Sequence, residues 1–223
     1  MNKHPRLLAL ATLRQVTRWP GYTSIADYHD GAYECDFVSP YTKTADNVDA
    51  EVMVLLQDWS SDDELRRGFD ESTWRLGYTP AQPTSRTLEL LLNTPFGLSL
   101  SDTYGTNLFP FVKSGGISSR IPERDLIRAA REFALPQIEI VSPRLVICLG
   151  LVTFEALRSA YGLAHAGKME PAINSPFTVG NSRVWCQAHT GALGQMNRKK
   201  GSVDRVLKDW MRMKEDVNSA IAK

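Results

Sequence analysis

Three side chains of complementary chemistry, Asp58, Asn107 and His189, are spread along the chain. A carboxylate can orient or activate water and can stabilise a cation that develops as a bond breaks. A carboxamide presents one acceptor and two donors in a single plane, which suits the edge of a flat ring. An imidazole can donate to an oxygen that gains negative charge as a group leaves. Gln57, beside Asp58, adds a second amide. Each residue also has a plainer reading. Asp58 and Ser60 fit a helix cap, Asn107 before Leu-Phe-Pro fits a turn, and a lone His at a strand end is often structural. Their joint placement is what favours chemistry.

That placement follows from the elements that carry them. Val52-Met53-Val54-Leu55-Leu56 is an unbroken apolar run, the pattern of a strand buried on both faces. Further strands are expected at 104–109, 144–149 and 183–188, with the first at 51–56. Polar residues at three of the four ends, Gln57 and Asp58, Asn107, and His189, would converge at the carboxyl edge of the sheet. Open α/β sheets bind ligands at that edge. Helices are expected over 3–19, stopped by Pro20-Gly21, over 62–74, and from Thr84 or Ser85 through Leu92. Another opens at Pro122 and continues past Pro136 with a kink or break there. A further helix covers 153–161. Ser202 caps the last one, whose apolar positions are Val203, Val206, Leu207, Trp210 and Met211. Residues 22–47 read as irregular, packed over the sheet edge, and 77–85 and 171–180 read as loops.

The alternation predicts an α/β fold with a central, mostly parallel four-stranded sheet flanked by helices. One domain covers 1–223, with an N-terminal helix and irregular extension over 1–50 and a core over 51–212.

Composition narrows the classes. The 223 residues are 43% hydrophobic and 23% charged, enough to bury a globular core. A net charge of +1 gives no global field for nucleic acid, so such binding needs a local patch. The run Asn197-Arg198-Lys199-Lys200 is the candidate, although Lys199-Lys200 also reads as a solvated helix flank. Cys35, Cys148 and Cys186 are far apart and form no Cys-x-x-Cys pair. That argues against a disulfide framework, a metal site or an iron–sulfur cluster and fits a reducing cytoplasm. No apolar stretch reaches the ~20 residues of a membrane span, and the start lacks a signal-peptide cleavage pattern. Asp58-Trp59-Ser60-Ser61 contains no glycine, which argues against a dinucleotide-binding phosphate loop after the first strand.

The order and context of these segments resemble the uracil-DNA glycosylase superfamily over roughly residues 50 to 212. Leu56-Gln57-Asp58-Trp59-Ser60-Ser61 is similar to the family's first motif and keeps its Gln and Asp. Thr106-Asn107-Leu108 resembles the base-reading motif, and Pro143–Gly150 the family's structural strand. His189-Thr190-Gly191-Ala192-Leu193 falls on the last motif. The resemblance implies a monomeric, monofunctional hydrolase of the N-glycosidic bond of uracil or a related damaged pyrimidine, with DNA as partner and no cofactor or metal. Asp58 would handle water and favour the sugar's cationic character. Asn107 would bond the base edge, His189 would stabilise the anion at O2, and the backbone amide near Gln57 would help. Leu193 would fill the vacated stack, and Asn197, Arg198, Lys199 and Lys200 would meet phosphates. Tyr78 and Phe69 are the candidates to stack on the base. Three departures stand out. Trp59 replaces a Pro, Ser60 replaces the Tyr that excludes thymine, and Thr190-Gly191-Ala192 replaces Pro-Ser-Pro. Trp59 could substitute as the gate. The alternative is a member of the same fold that binds a nucleobase, nucleotide or DNA without cleaving it.

Overall fold

The computed structural model describes residues 2–199 and 204–221. Among the described residues seven strands form, namely β1 (Tyr22–Thr23), β2 (Val52–Asp58), β3 (Tyr104–Phe109), β4 (Val112–Lys113), β5 (Leu145–Leu149), β6 (Phe177–Val179) and β7 (Ser182–Gln187). Five of them make the central sheet in the order β3-β2-β5-β7-β6. The first four run parallel, and β6 pairs antiparallel with β7. Residues 52–56 of β2 and all of β5 are buried, as a parallel sheet covered by helices on both faces requires.

The sheet therefore has five strands where the sequence predicts four. The extra strand, β6, lies in 171–180, which reads as loop. It is only three residues long, with Phe177 and Val179 buried and Thr178 exposed. Gly180-Asn181 closes the hairpin to β7, and Gly180 takes the positive φ of 55° that a tight hairpin turn demands. That Gly-Asn pair is a hairpin signal in the sequence, masked by the brevity of the strand before it. Met169–Ile173 adds a short helix just ahead of it.

The helices differ from expectation where breakers and caps intervene. The first spans Lys3–Val16 and stops short of Trp19. The stretch expected as one helix over 62–74 is two, Asp62–Arg66 and Glu71–Leu76. Gly68 lies between them, and Asp70 caps the second by accepting the Thr73 N–H. Beyond Pro122, helical structure is unbroken from Glu123 to Val141. A π-helical turn over Ala130–Ala134 precedes Pro136, which has no N–H to give and would clash with the carbonyl one turn back. The last helix, Arg205–Ile221, buries Val206, Trp210 and Met213, while Met211 is exposed. Its face therefore advances from 206 to 210 to 213, with Met213 in the place expected for Met211. Ser202, the expected cap, and Val203 lie outside the described residues. No helix among the described residues is long and apolar enough to cross a membrane.

The first fifty residues are tied to one another and to the core by specific bonds. Arg14 is fully buried and donates to the Glu34 carboxylate and to the carbonyls of Cys35 and Phe37, both at 2.7 Å. Farther on, Thr42 Oγ1 donates to the Gly105 carbonyl (2.7 Å), and the Gly105 N–H donates to Ala45 (2.8 Å). A Cβ on Gly105 would lie 2.8 Å from the Ala45 Cβ and 3.1 Å from the Tyr41 ring. Glycine at 105 is what lets residues 41–45 press against β3.

Candidate active site

Register decides which side chains meet. Leu56 of β2 pairs with Asn107 of β3, and Asp58 with Phe109. Asp58 is thus the last residue of β2, and Asn107 is the fourth of six residues in β3, inside the strand where the sequence predicts its end. His189 follows β7 by two residues. Gln57, Asp58, Trp59, Tyr78, Asn107 and His189 line one cleft of about 940 Å³ over the carboxyl ends of β2, β3, β5 and β7. Six of the twelve residues nominated from sequence are brought together.

Asp58 is half of a buried ion pair. Lys113 Nζ lies 2.8 Å from its Oδ2, with the two side chains 4% and 8% exposed. Gln57 Nε2 donates to Oδ1 at 2.8 Å. Each carboxylate oxygen thus takes one donor and keeps a lone pair for a further partner. Lys113 is held in turn by its own donation to the Ile117 carbonyl (2.7 Å). The pairing of β4 with β1 also fixes it, since Tyr22 stands opposite Lys113.

His189 is held in one tautomer. The Gly191 N–H donates to Nδ1 at 3.0 Å, so Nδ1 is unprotonated and the neutral ring carries its proton on Nε2. Burial pulls its pKa below the ordinary 6.5, with the Asp58 charge acting in the opposite direction. Two glycines make this loop possible. A Cβ on Gly194 would lie 2.2 Å from the His189 carbonyl oxygen. One on Gly191 would lie 3.0 Å from Nδ1 and 3.3 Å from Thr84 Oγ1. Gln195 Nε2 donates to the same His189 carbonyl at 3.0 Å.

Asn107 is buried, and its Oδ1 accepts from Ser39 Oγ at 2.6 Å. Trp59 is fixed by its Nε1 donation to the Gly77 carbonyl (2.8 Å) and by edge contact with Tyr33 at 5.4 Å. Tyr78 donates to Glu89 at 3.1 Å and packs at a tilt on Tyr41, 5.8 Å between centroids. Burial first, then the Glu89 hydrogen bond, push its phenol up to about 12, so it is a neutral ring at ordinary pH. Phe69, the other aromatic nominated for stacking, lies against Tyr33 and does not line the cleft. Tyr78, with Tyr41 beside it, supplies the aromatic wall.

The residues nominated to meet DNA stand outside the cleft lining. Leu193 is 76% exposed in the first turn of the helix Ala192–Arg198, and Asn197 is exposed on it. Arg198 turns inward. It forks onto Asp209 through Nε (2.6 Å) and a terminal nitrogen (3.0 Å), and its other terminal nitrogen bonds Glu170. This geometry ties the helix to its neighbours and engages the Arg198 guanidinium with two carboxylates. Lys199 pairs loosely with Asp204 at 3.4 Å, both half exposed. Lys200 lies outside the described residues.

Sequence reasoning missed Lys113, Ser39, Tyr41, Gly191 and Gly194. Lys113 had a signal, being a single cation after the apolar run Leu108–Val112, where burial demands a countercharge. Ser39 had only its place before Pro40, which marks a turn. Among the described residues, no group of three or more His, Cys, Asp or Glu is arranged to hold a metal. The cleft can seat a planar heterocycle against Asn107 and the tyrosines, offer its oxygen a donor from His189, and keep a water on Asp58. No family model and no curated protein matches the chain.

Proposed function

We propose that this chain is a DNA glycosylase that hydrolyses the N-glycosidic bond of a flipped-out uracil or related damaged pyrimidine, on a fold of the uracil-DNA glycosylase type. The observation that carries the reading is His189, a neutral imidazole whose Nε2–H has no partner among the described residues, in the same cleft as a carboxylate and an amide suited to a ring edge. When the bond to the base breaks, negative charge gathers on the base oxygens and positive charge on the sugar. A preorganised neutral donor stabilises the first without giving up its own proton to solvent. Asp58 faces the second and holds the attacking water through a lone pair that Gln57 and Lys113 leave open.

A base inside duplex DNA must leave the stack to reach such a cleft, at a cost of a few kcal/mol. In this reading Leu193, exposed in the first turn of the helix that follows His189, fills the gap. The test is release of base from single- and double-stranded oligonucleotides that carry uracil.

A second reading is favoured by one observation. Lys113 neutralises Asp58 in the ground state, which weakens the carboxylate's pull on a sugar cation. In that reading the chain binds a nucleobase, nucleotide or DNA without cleavage, and the same assay then shows binding and no abasic product.

A further inference from the structure

Hydrolysis of a glycosidic bond calls for a carboxylate beside the sugar, and it has no need of a buried amine bonded to that carboxylate. Lys113 is the one lysine among the described residues that line the cleft, and its side chain is 4% exposed. A cation kept only to balance Asp58 would be better supplied by arginine, whose planar fork grips a carboxylate at two points and stays charged. Lysine is the cation that can turn into a nucleophile.

The surroundings of Nζ leave one position for a substrate. An ammonium group has three hydrogens. One goes to Asp58 Oδ2 at 2.8 Å and one to the Ile117 carbonyl at 2.7 Å. Among the described residues Nζ has no third partner. Asp58 is therefore both the anchor of the amine and a base within reach of its proton. Removal of a base from DNA leaves a deoxyribose whose ring opens to an aldehyde at C1′, an electrophile that an amine attacks.

We infer that Lys113 is a nucleophile that forms a Schiff base with the C1′ aldehyde of an abasic deoxyribose and cleaves the strand on its 3′ side by β-elimination. The inference rests on the reading above only for seating the sugar at Asp58. Lys113 first passes one proton to Asp58. A one-third turn about the Cε–Nζ bond then keeps both held contacts and aims the lone pair at the open position. That pair attacks C1′ as the carbonyl π electrons move to oxygen. The oxygen takes the proton from Asp58 and one from the nitrogen, departs as water, and leaves a protonated imine on Lys113. Asp58, again a carboxylate, removes a proton from C2′. The electron pair released forms the C2′–C3′ double bond, and the C3′–O bond breaks with its electrons leaving on the phosphate. Water hydrolyses the imine and restores the ammonium, and the proton on Asp58 passes to solvent.

The test uses an oligonucleotide with a chemically installed abasic site, so no base has to be excised. The full chain is incubated with it in sodium cyanoborohydride, which reduces an imine to a stable amine, and the adduct is located by peptide mass spectrometry. Wild type should give a covalent protein–DNA adduct on Lys113. Without the reductant it should cleave the strand 3′ to the abasic site faster than the oligonucleotide breaks alone. Lys113→Arg, which keeps the buried charge, should lose both, with a melting curve to show that it folds. No wild-type adduct, an adduct on another amine, or an adduct without strand cleavage overturns the inference, as does trapping undiminished in folded Lys113→Arg. Should Lys113→Arg fail to fold, the position of the wild-type adduct decides. A wild type that releases no uracil yet is trapped at Lys113 would sink the glycosylase reading and leave the lyase standing.

Discussion

Lys113 Nζ stands 2.8 Å from Asp58 Oδ2 inside the cleft, and the two charges are almost wholly removed from solvent. A pair of this kind is costly to form and costlier to break on one side only, because the remaining charge stays buried without a partner. Lys113→Ala should therefore destabilise the fold by about 3 kcal/mol. Lys113→Ala together with Asp58→Asn should recover part of that loss. Thermal or urea unfolding of the two single variants and the double variant measures it. Additive losses would mean that the pair does not couple.

The state of His189 sets a pH dependence with a definite sign. Burial lowers its pKa, so as pH falls the ring stays neutral past the ordinary 6.5 and takes up its proton only below it. The unfolded chain protonates first, so this group's contribution to stability is complete above 6.5 and is lost as pH falls through the folded value. Asp58 pulls the pKa upward, so Asp58→Asn should move the titration of the ring to still lower pH. NMR titration of the His189 ring reads both. A wild-type ring that titrates above 6.5 would contradict the neutral-donor role.

Gly194 should be intolerant of any side chain. A Cβ there meets the His189 carbonyl oxygen at 2.2 Å and backbone cannot yield as a flexible side chain can. Gly194→Ala should displace the His189 loop and reduce base release by roughly a hundredfold, the scale on which a small misplacement of a reacting group is felt. The better helix propensity of alanine, about 1 kcal/mol, offsets only part of that clash, so the melting temperature should fall as well. Excision kinetics beside a melting curve separate the two effects.

The exposed and the inward side chains after His189 should part company. Leu193→Ala should weaken action on duplex DNA and spare single strands, since only a duplex has a stack to refill. Arg198→Ala should lower stability, through loss of its forked bond to Asp209, and leave the salt dependence of DNA binding as it was. A lost phosphate contact would instead flatten the salt slope by about one unit.

How much of this was legible in the sequence depended on how local the signal was. The buried run Val52–Leu56 and the run Leu145–Leu149 announced parallel strands, and both lie near the centre of the sheet. β6 escaped because three residues are too few to show a period, although Gly180-Asn181 marked its turn. Asp58, Asn107 and His189 could be paired from sequence because each rides on a strong strand. Lys113 and Ser39 could not, because each meets its partner through the fold alone, across 55 and 68 residues respectively. The surroundings of Arg198 were hidden for the same reason. The charges of the Arg198-Lys199-Lys200 run are adjacent in sequence, but the carboxylates that claim Arg198 come from Glu170 and Asp209.

The most direct test of the central claim is a single-turnover assay on oligonucleotides carrying one uracil, with wild type, His189→Ala and Asp58→Asn. Wild type should give abasic product, and base release should slow by roughly a hundredfold or more in His189→Ala with DNA binding retained, the scale of losing one preorganised donor. No abasic product from wild type on either single- or double-stranded substrate would contradict it, as would undiminished release by His189→Ala.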